Sequence, residues 1–219
     1  MNAAATWFAT LPFAALTALP FAATVFAFAV AGWAGTFAGE WLCAGRAPYD
    51  DGPDAVTFRR TPFATIGGGI GLALAVHGES PAHLAVLALV TLALAGGAAA
   101  DLTCGALPDA LTVGPLVLVV AAGAVSRDWA PAAGAFCIAL PFAVAALVSH
   151  GRGMGWGDVK LAALGGALLG VADATLAFAL AALAASVIAR RTAGVRRPIA
   201  FGPYLAASIA ASLTIVRTI

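Results

Sequence analysis

The chain is a succession of apolar runs separated by short polar joints, and that pattern leaves few folds open to it. A helix of about 20 apolar residues spans the hydrocarbon core of a bilayer, and about 17 make a short crossing. Runs of this kind fall near residues 8–38, 62–77, 82–100, 110–126, 130–149, 159–171, 173–189 and 199–216. Within lipid every backbone donor and acceptor must find a partner inside the protein, so isolated spans of this length are helical. The pattern predicts an all-α polytopic membrane protein, a bundle of about eight transmembrane segments. Composition agrees: 62% of the residues are hydrophobic and 10% charged, which excludes an ordinary soluble domain, and nucleic-acid binding has no support. The lipid bilayer is the expected surrounding.

Orientation follows from the basic residues. If the joints after the first, third, fifth and seventh segments share one side, that side holds Arg46, Arg59, Arg60, Arg152, Lys160, Arg190, Arg191, Arg196 and Arg197. The opposite side holds Arg127 and Arg217. Basic residues collect on the cytoplasmic face, so this arrangement puts both termini on the non-cytoplasmic side. It depends on a break near Gly170 to Asp173, because a single helix over 159–189 would send four arginines outward. Met1 to Thr10 carries no basic residue, so the first run is expected to be a retained span and not a cleaved signal peptide.

The longest stretch with fixed punctuation is Gly151-Arg-Gly-Met-Gly-Trp-Gly-Asp-Val-Lys-Leu161. Gly151, Gly153, Gly155 and Gly157 occupy every second position and free the backbone for conformations that a side chain would forbid. They deliver the chain to Asp158, at the mouth of an apolar segment. An ionisable group there is a functional candidate, since burying it at the bilayer centre costs roughly 2.5 to 3.5 kcal/mol. Its expected partner is Asp101, which closes a long run of apolar and small residues; at a helix carboxyl end its negative charge opposes the helix dipole. Downstream, Leu107 and Pro108 end one element, and Asp109 is read as a cap on the amides of the next. Lys160 is read as an anchor at the headgroups, with electrostatic tuning of the site as the alternative.

Under the topology above, Asp101 and Asp158 reach the same edge of the membrane. Two carboxylates in a low-dielectric setting cannot both ionise cheaply, so the pair holds a single proton. One member can then take a proton from water while the other polarises a peptide carbonyl, which is aspartic-protease chemistry. Cys43, Cys104 and Cys137 form no Cys-x-x-Cys pair and are read as single buried thiols; His77, His83 and His150 are scattered and read as loop or interface residues. No metal or other cofactor is expected. Gly67, Gly68, Gly69 and Gly71 are read as packing positions for close helix approach, and the polar joint from Glu40 to Thr61 as a solvated connector.

Gly153-Met154-Gly155-Trp156-Gly157-Asp158-Val159-Lys160-Leu161 resembles the Gly-Met-Gly-x-Gly-Asp-x-Lys-Leu signature of type IV prepilin peptidases. Asp101 stands eight residues before the acid of Leu-Pro-Asp109, followed by Leu-Thr112, as that family has it. Ile199-Ala-Phe-Gly-Pro-Tyr-Leu205 resembles the family's Ile-Pro-Phe-Gly-Pro-Phe-Leu, with Ala200 in place of proline. The resemblance covers residues 82–216. It implies N-terminal transmembrane segments over 1–80, with a cytoplasmic loop at about 39–61, and a catalytic membrane core over 81–219. It further implies a membrane-embedded aspartic endopeptidase of the bacterial inner membrane, with Asp101 and Asp158 in the catalytic positions. Its substrate would be the basic leader and hydrophobic helix of a type IV prepilin or pseudopilin, cut at the cytoplasmic face. Members that also N-methylate carry four cysteines in the first cytoplasmic loop. Here that loop holds only Cys43, so methylation is unsupported. A proton- or cation-coupled transporter, an inactive scaffold of the same fold and a presenilin-like protease are the competing readings.

Overall fold

The structure is a computed structural model that describes residues 4–44, 59–76, 81–150, 154–191 and 200–215. Among the described residues there are seven helices and no strand: α1 (Ala4–Cys43), α2 (Thr61–Val76), α3 (Pro81–Cys104), α4 (Asp109–Val125), α5 (Ala130–Val148), α6 (Trp156–Arg191) and α7 (Gly202–Ile215). Four stretches are long and apolar enough to cross a membrane: Pro20–Cys43, His83–Cys104, Ala130–Val148 and Trp156–Ile188. The 16 residues of α2, 17 of α4 and 14 of α7 fall at or below a short crossing. Apolar side chains turn outward, as they do toward lipid. On α5, Phe136, Leu140, Val144 and Leu147 recur on one face and are 68%, 51%, 51% and 62% exposed.

One of the seven helices is two arms. A straight helix of 33 residues would be about 50 Å long, against a hydrocarbon core of about 30 Å. At Gly170 the backbone leaves the helical region (φ 77°, ψ 176°), a conformation that glycine adopts without a Cβ penalty. The Phe178 ring lies against Gly165, thirteen residues earlier, which in a straight helix is a separation of about 20 Å. The arms therefore fold back on each other, at the position where the sequence predicts a break.

Glycines set the packing of the amino-terminal helices. A Cβ on Gly35 would lie 2.2 Å from the Leu92 carbonyl oxygen, and one on Gly39 2.2 Å from that of Gly96. These are backbone-on-backbone contacts, which need small residues one turn apart. They fix α1 parallel to α3 in a single register, which carries Cys43 to Ala100, 57 residues on. Gly67 and Gly71 meet Phe28 and Thr24 of α1 in the same way, whereas Gly69 faces open space, so two of the four glycines act as the packing reading expects. Arg60 closes the α1–α2 end: it pairs with Glu40 at 2.5 Å and its guanidinium lies 3.4 Å over the Phe37 ring. The rest of the 40–61 joint, residues 45–58, lies outside the described residues. The main core joins Phe28, Leu74, Leu87, Leu161, Leu164, Leu205 and Ile209 from α1, α2, α3, α6 and α7.

The cysteines differ from expectation. Cys43 and Cys104 form a disulfide, with Cα atoms 6.1 Å apart, and Cys137 is free and exposed. The pairing is tertiary: the α1–α3 register brings together two helix ends that are 61 residues apart.

Candidate active site

Asp101 sits in the last turn of α3. Gly105 ends that helix with φ 61°, the left-handed conformation that glycine supplies at a helix carboxyl end, and its N–H donates to the Asp101 carbonyl at 3.0 Å. Ala98, Ala99 and Ala100 before it are buried, and Asp101 itself is only 8% exposed. A carboxylate so placed needs a donor. The Gly202 N–H provides it, donating to Asp101 Oδ2 at 2.9 Å. Gly202 begins α7, where the first amides have no partner within the helix and Pro203 contributes none. Asp101 thus lies at the unfavourable end of one helix dipole and the favourable end of another.

Asp158 is in the first turn of α6. Its N–H donates to the Gly155 carbonyl at 3.1 Å, and the Gly155 N–H donates back to Asp158 Oδ2 at 3.3 Å. This is the reciprocal arrangement of an acidic residue three positions past a helix cap. Asp158 is partly exposed. Leu107 links the two settings. A Cβ on Gly157 would lie 2.7 Å from Leu107 Cβ, and one on Gly202 3.2 Å from Leu107 Cδ1 and 2.8 Å from Asp101 Oδ2. Gly157 and Gly202 thus make the room that Leu107 fills between the start of α6 and the start of α7.

Of the two described glycines nearest Asp158, Gly157 acts through closeness, and neither Gly155 nor Gly157 uses the left-handed backbone. Positive φ among the glycines occurs at Gly105 and Gly170 and not at Gly155 or Gly157. A Cβ on Gly155 would meet nothing nearer than 3.7 Å. Gly153, with Gly151 and Arg152, lies outside the described residues.

Two side-chain expectations are corrected. Pro108, which is buried, occupies the cap of α4 and no side chain caps that helix; Asp109 is already its first helical residue. Asp109 pairs instead with Lys160, which bridges to it across 51 residues at 2.5 Å. Lys160 therefore ties the starts of α4 and α6 together instead of reaching only for headgroups. The sequence reading also passes over Leu107, Gly105 and Gly202 as site residues. For Gly202 a signal exists: a glycine and a proline opening an apolar run mark a helix start with one free amide. Among the described residues no three His, Cys, Asp or Glu side chains converge as a metal site would need.

The arrangement puts two acids at one end of the bundle, drawn from the end of α3 and the start of α6, each held by a backbone N–H. Residues 84–190 match the model of the type IV leader peptidase family, Peptidase_A24. The matched stretch contains Asp101, Asp109, Gly155, Gly157, Asp158 and Lys160 and leaves out α1, α2 and α7. It supports assignment to the prepilin peptidase family. The comparison with curated proteins and the comparison with solved structures gave no significant match.

Proposed function

With residues 84–190 assigned to the type IV leader peptidase family, we propose that the protein is a membrane-embedded aspartic endopeptidase. It removes the basic leader of a type IV prepilin or pseudopilin, with Asp101 and Asp158 as the catalytic pair. The observation that carries this reading is their convergence: two acids, one buried at the end of α3 and one at the start of α6, stand at one end of an apolar bundle, where Leu107 packs against both Gly157, beside Asp158, and Gly202, which holds Asp101.

The chemistry follows from one shared proton. The ionised carboxylate takes a proton from a water molecule as its oxygen attacks the scissile carbonyl carbon. The protonated carboxyl gives its proton to the carbonyl oxygen, producing a neutral tetrahedral diol. On collapse of the diol, the carboxyl that took its proton from water passes it to the departing amine, and one hydroxyl proton returns to the ionised carboxylate. The C–N bond breaks, one new acid and one new amine result, and the pair again holds a single proton. Two helix amino ends, those of α6 and α7, stabilise negative charge in the pair throughout.

Arg59, Arg60, Lys160 and Arg190 lie toward the same end of the bundle as the acids, which supports a cytoplasmic position for the site and non-cytoplasmic termini. Folding back at Gly170 supports eight crossings in place of seven. The N-terminal loop that bears on methylation lies largely outside the described residues, and the reading concerns cleavage alone.

The test is cleavage of a co-expressed prepilin, read by gel mobility and by mass of the mature amino terminus. The wild type removes the leader; Asp101→Asn and Asp158→Asn each leave it attached. Intact cleavage in either variant would sink the two-acid mechanism.

A further inference from the structure

A cavity lies deeper in the bundle, between α1, α2, α3 and α7. It has a volume of about 160 Å³, and Thr91 is the one polar side chain in its lining. The Thr91 hydroxyl is occupied, donating to the Leu87 carbonyl at 2.9 Å. An apolar cavity of about 150 Å³ stays dry and accepts a benzene-sized group. This one is not sealed: Ile66 of α2, 51% exposed, and Ala207 of α7, also exposed, belong to its lining and stand at its rim.

The cavity lies close to Asp101. Ala98, in its wall, precedes Asp101 by three residues on α3, a rise of about 4.5 Å. Pro203, also in its wall, directly follows the Gly202 whose N–H holds Asp101. The cavity therefore starts about one helical turn from the carboxylate, toward the bilayer interior.

The geometry points to a specificity pocket that receives one large apolar side chain of the substrate's hydrophobic helix, from the first two turns beyond the scissile bond. The inference rests on the peptidase reading above. Its occupant follows from position: the α2–α7 opening lies about one helical turn from Asp101, within reach of the first turns of a helix whose polar end sits at that carboxylate. A benzene-sized apolar hole there binds a ring or a branched chain and rejects a charge.

The test uses a co-expressed type IV prepilin carrying Ala, Leu or Phe at single positions in those two turns, cut by the wild type and by Ala207→Leu, whose added bulk fills the pocket from its rim. In the wild type, Leu or Phe at one position is cut at least about tenfold faster than Ala, the discrimination a hydrophobic pocket supplies for a missing apolar group. In Ala207→Leu that ratio falls toward one. Cleavage by the wild type without preference, or a preference unchanged in the variant, overturns the pocket alone; a wild type that cuts no version overturns the peptidase reading and the pocket with it. Should Ala207→Leu fail to accumulate, p-benzoylphenylalanine at position 66 in the Asp158→Asn background decides. A prepilin adduct supports the pocket, and adducts with lipid alone overturn it.

Discussion

On the proposed function, Asp101 and Asp158 serve one reaction from opposite physical settings. Asp101 is 8% exposed, at the wrong end of its own helix, and is held by the start of another helix 101 residues away. Asp158 is partly exposed, at the right end of its own helix, and is held by the residue three positions before it. The first acid is therefore positioned by tertiary structure and the second by local sequence. Asp158 keeps its geometry whenever α6 forms; Asp101 keeps its geometry only when α3 and α7 are docked.

The comparison can be broken outright at the carboxylates. Asparagine retains an acceptor for each backbone N–H, so Asp101→Asn and Asp158→Asn preserve position and remove protonation chemistry. Each is expected to cut the rate of leader removal by about 10² to 10⁴-fold, measured in membranes with equal enzyme levels. Next in size is Gly202→Ala. Its Cβ would stand 2.8 Å from Asp101 Oδ2, and a displacement of about 1 Å costs about 10²-fold. No equally small change exists for Asp158, because Gly155 has room for a methyl group.

Gly157→Ala and Gly155→Ala sharpen this further. The Gly157 methyl would strike Leu107 at 2.7 Å, an overpacking of about 1 to 3 kcal/mol, and about a tenfold loss of rate is expected. Gly155→Ala should stay within about twofold; equal losses at both positions would show that backbone freedom matters at Gly155 after all. The smallest effect belongs to the Lys160–Asp109 pair. Its side chains are 35% and 70% exposed, and exposed pairs are worth about 0 to 1 kcal/mol. Lys160→Ala should lower the melting temperature in detergent only slightly, and Asp109→Ala added to it should lower it no further.

The same contrast explains what the sequence reveals. Asp158 and its cap are readable because everything that holds them lies within four residues, and the helices are readable because apolar runs in lipid have one backbone solution. The break at Gly170 is legible through its glycine and through the excess length of the run it interrupts. Asp101 is identifiable as an acid out of place, but its donor is not, since the contact with Gly202 spans the bundle. Asp109 misleads because a carboxylate at a helix start resembles a cap; Pro108 already fills that position, and the cation that Asp109 meets comes from another helix. The disulfide has no spacing signature, because Cys43 and Cys104 meet through the α1–α3 register.

That register reaches further than packing. Gly35 and Gly39 engage the carbonyls of Leu92 and Gly96 one turn apart, so α3 can neither slide nor rotate without a backbone collision. A one-residue insertion between Gly96 and Asp101 would swing the carboxylate about 100° around the helix axis and away from the Gly202 amide. The bearing of Asp101 is thus set by two glycines on α1, a helix outside the family-matched residues 84–190. A chimera that grafts 84–190 onto another amino-terminal helix would inherit both acids, and their alignment only where the new helix brings small residues four apart at the same depth.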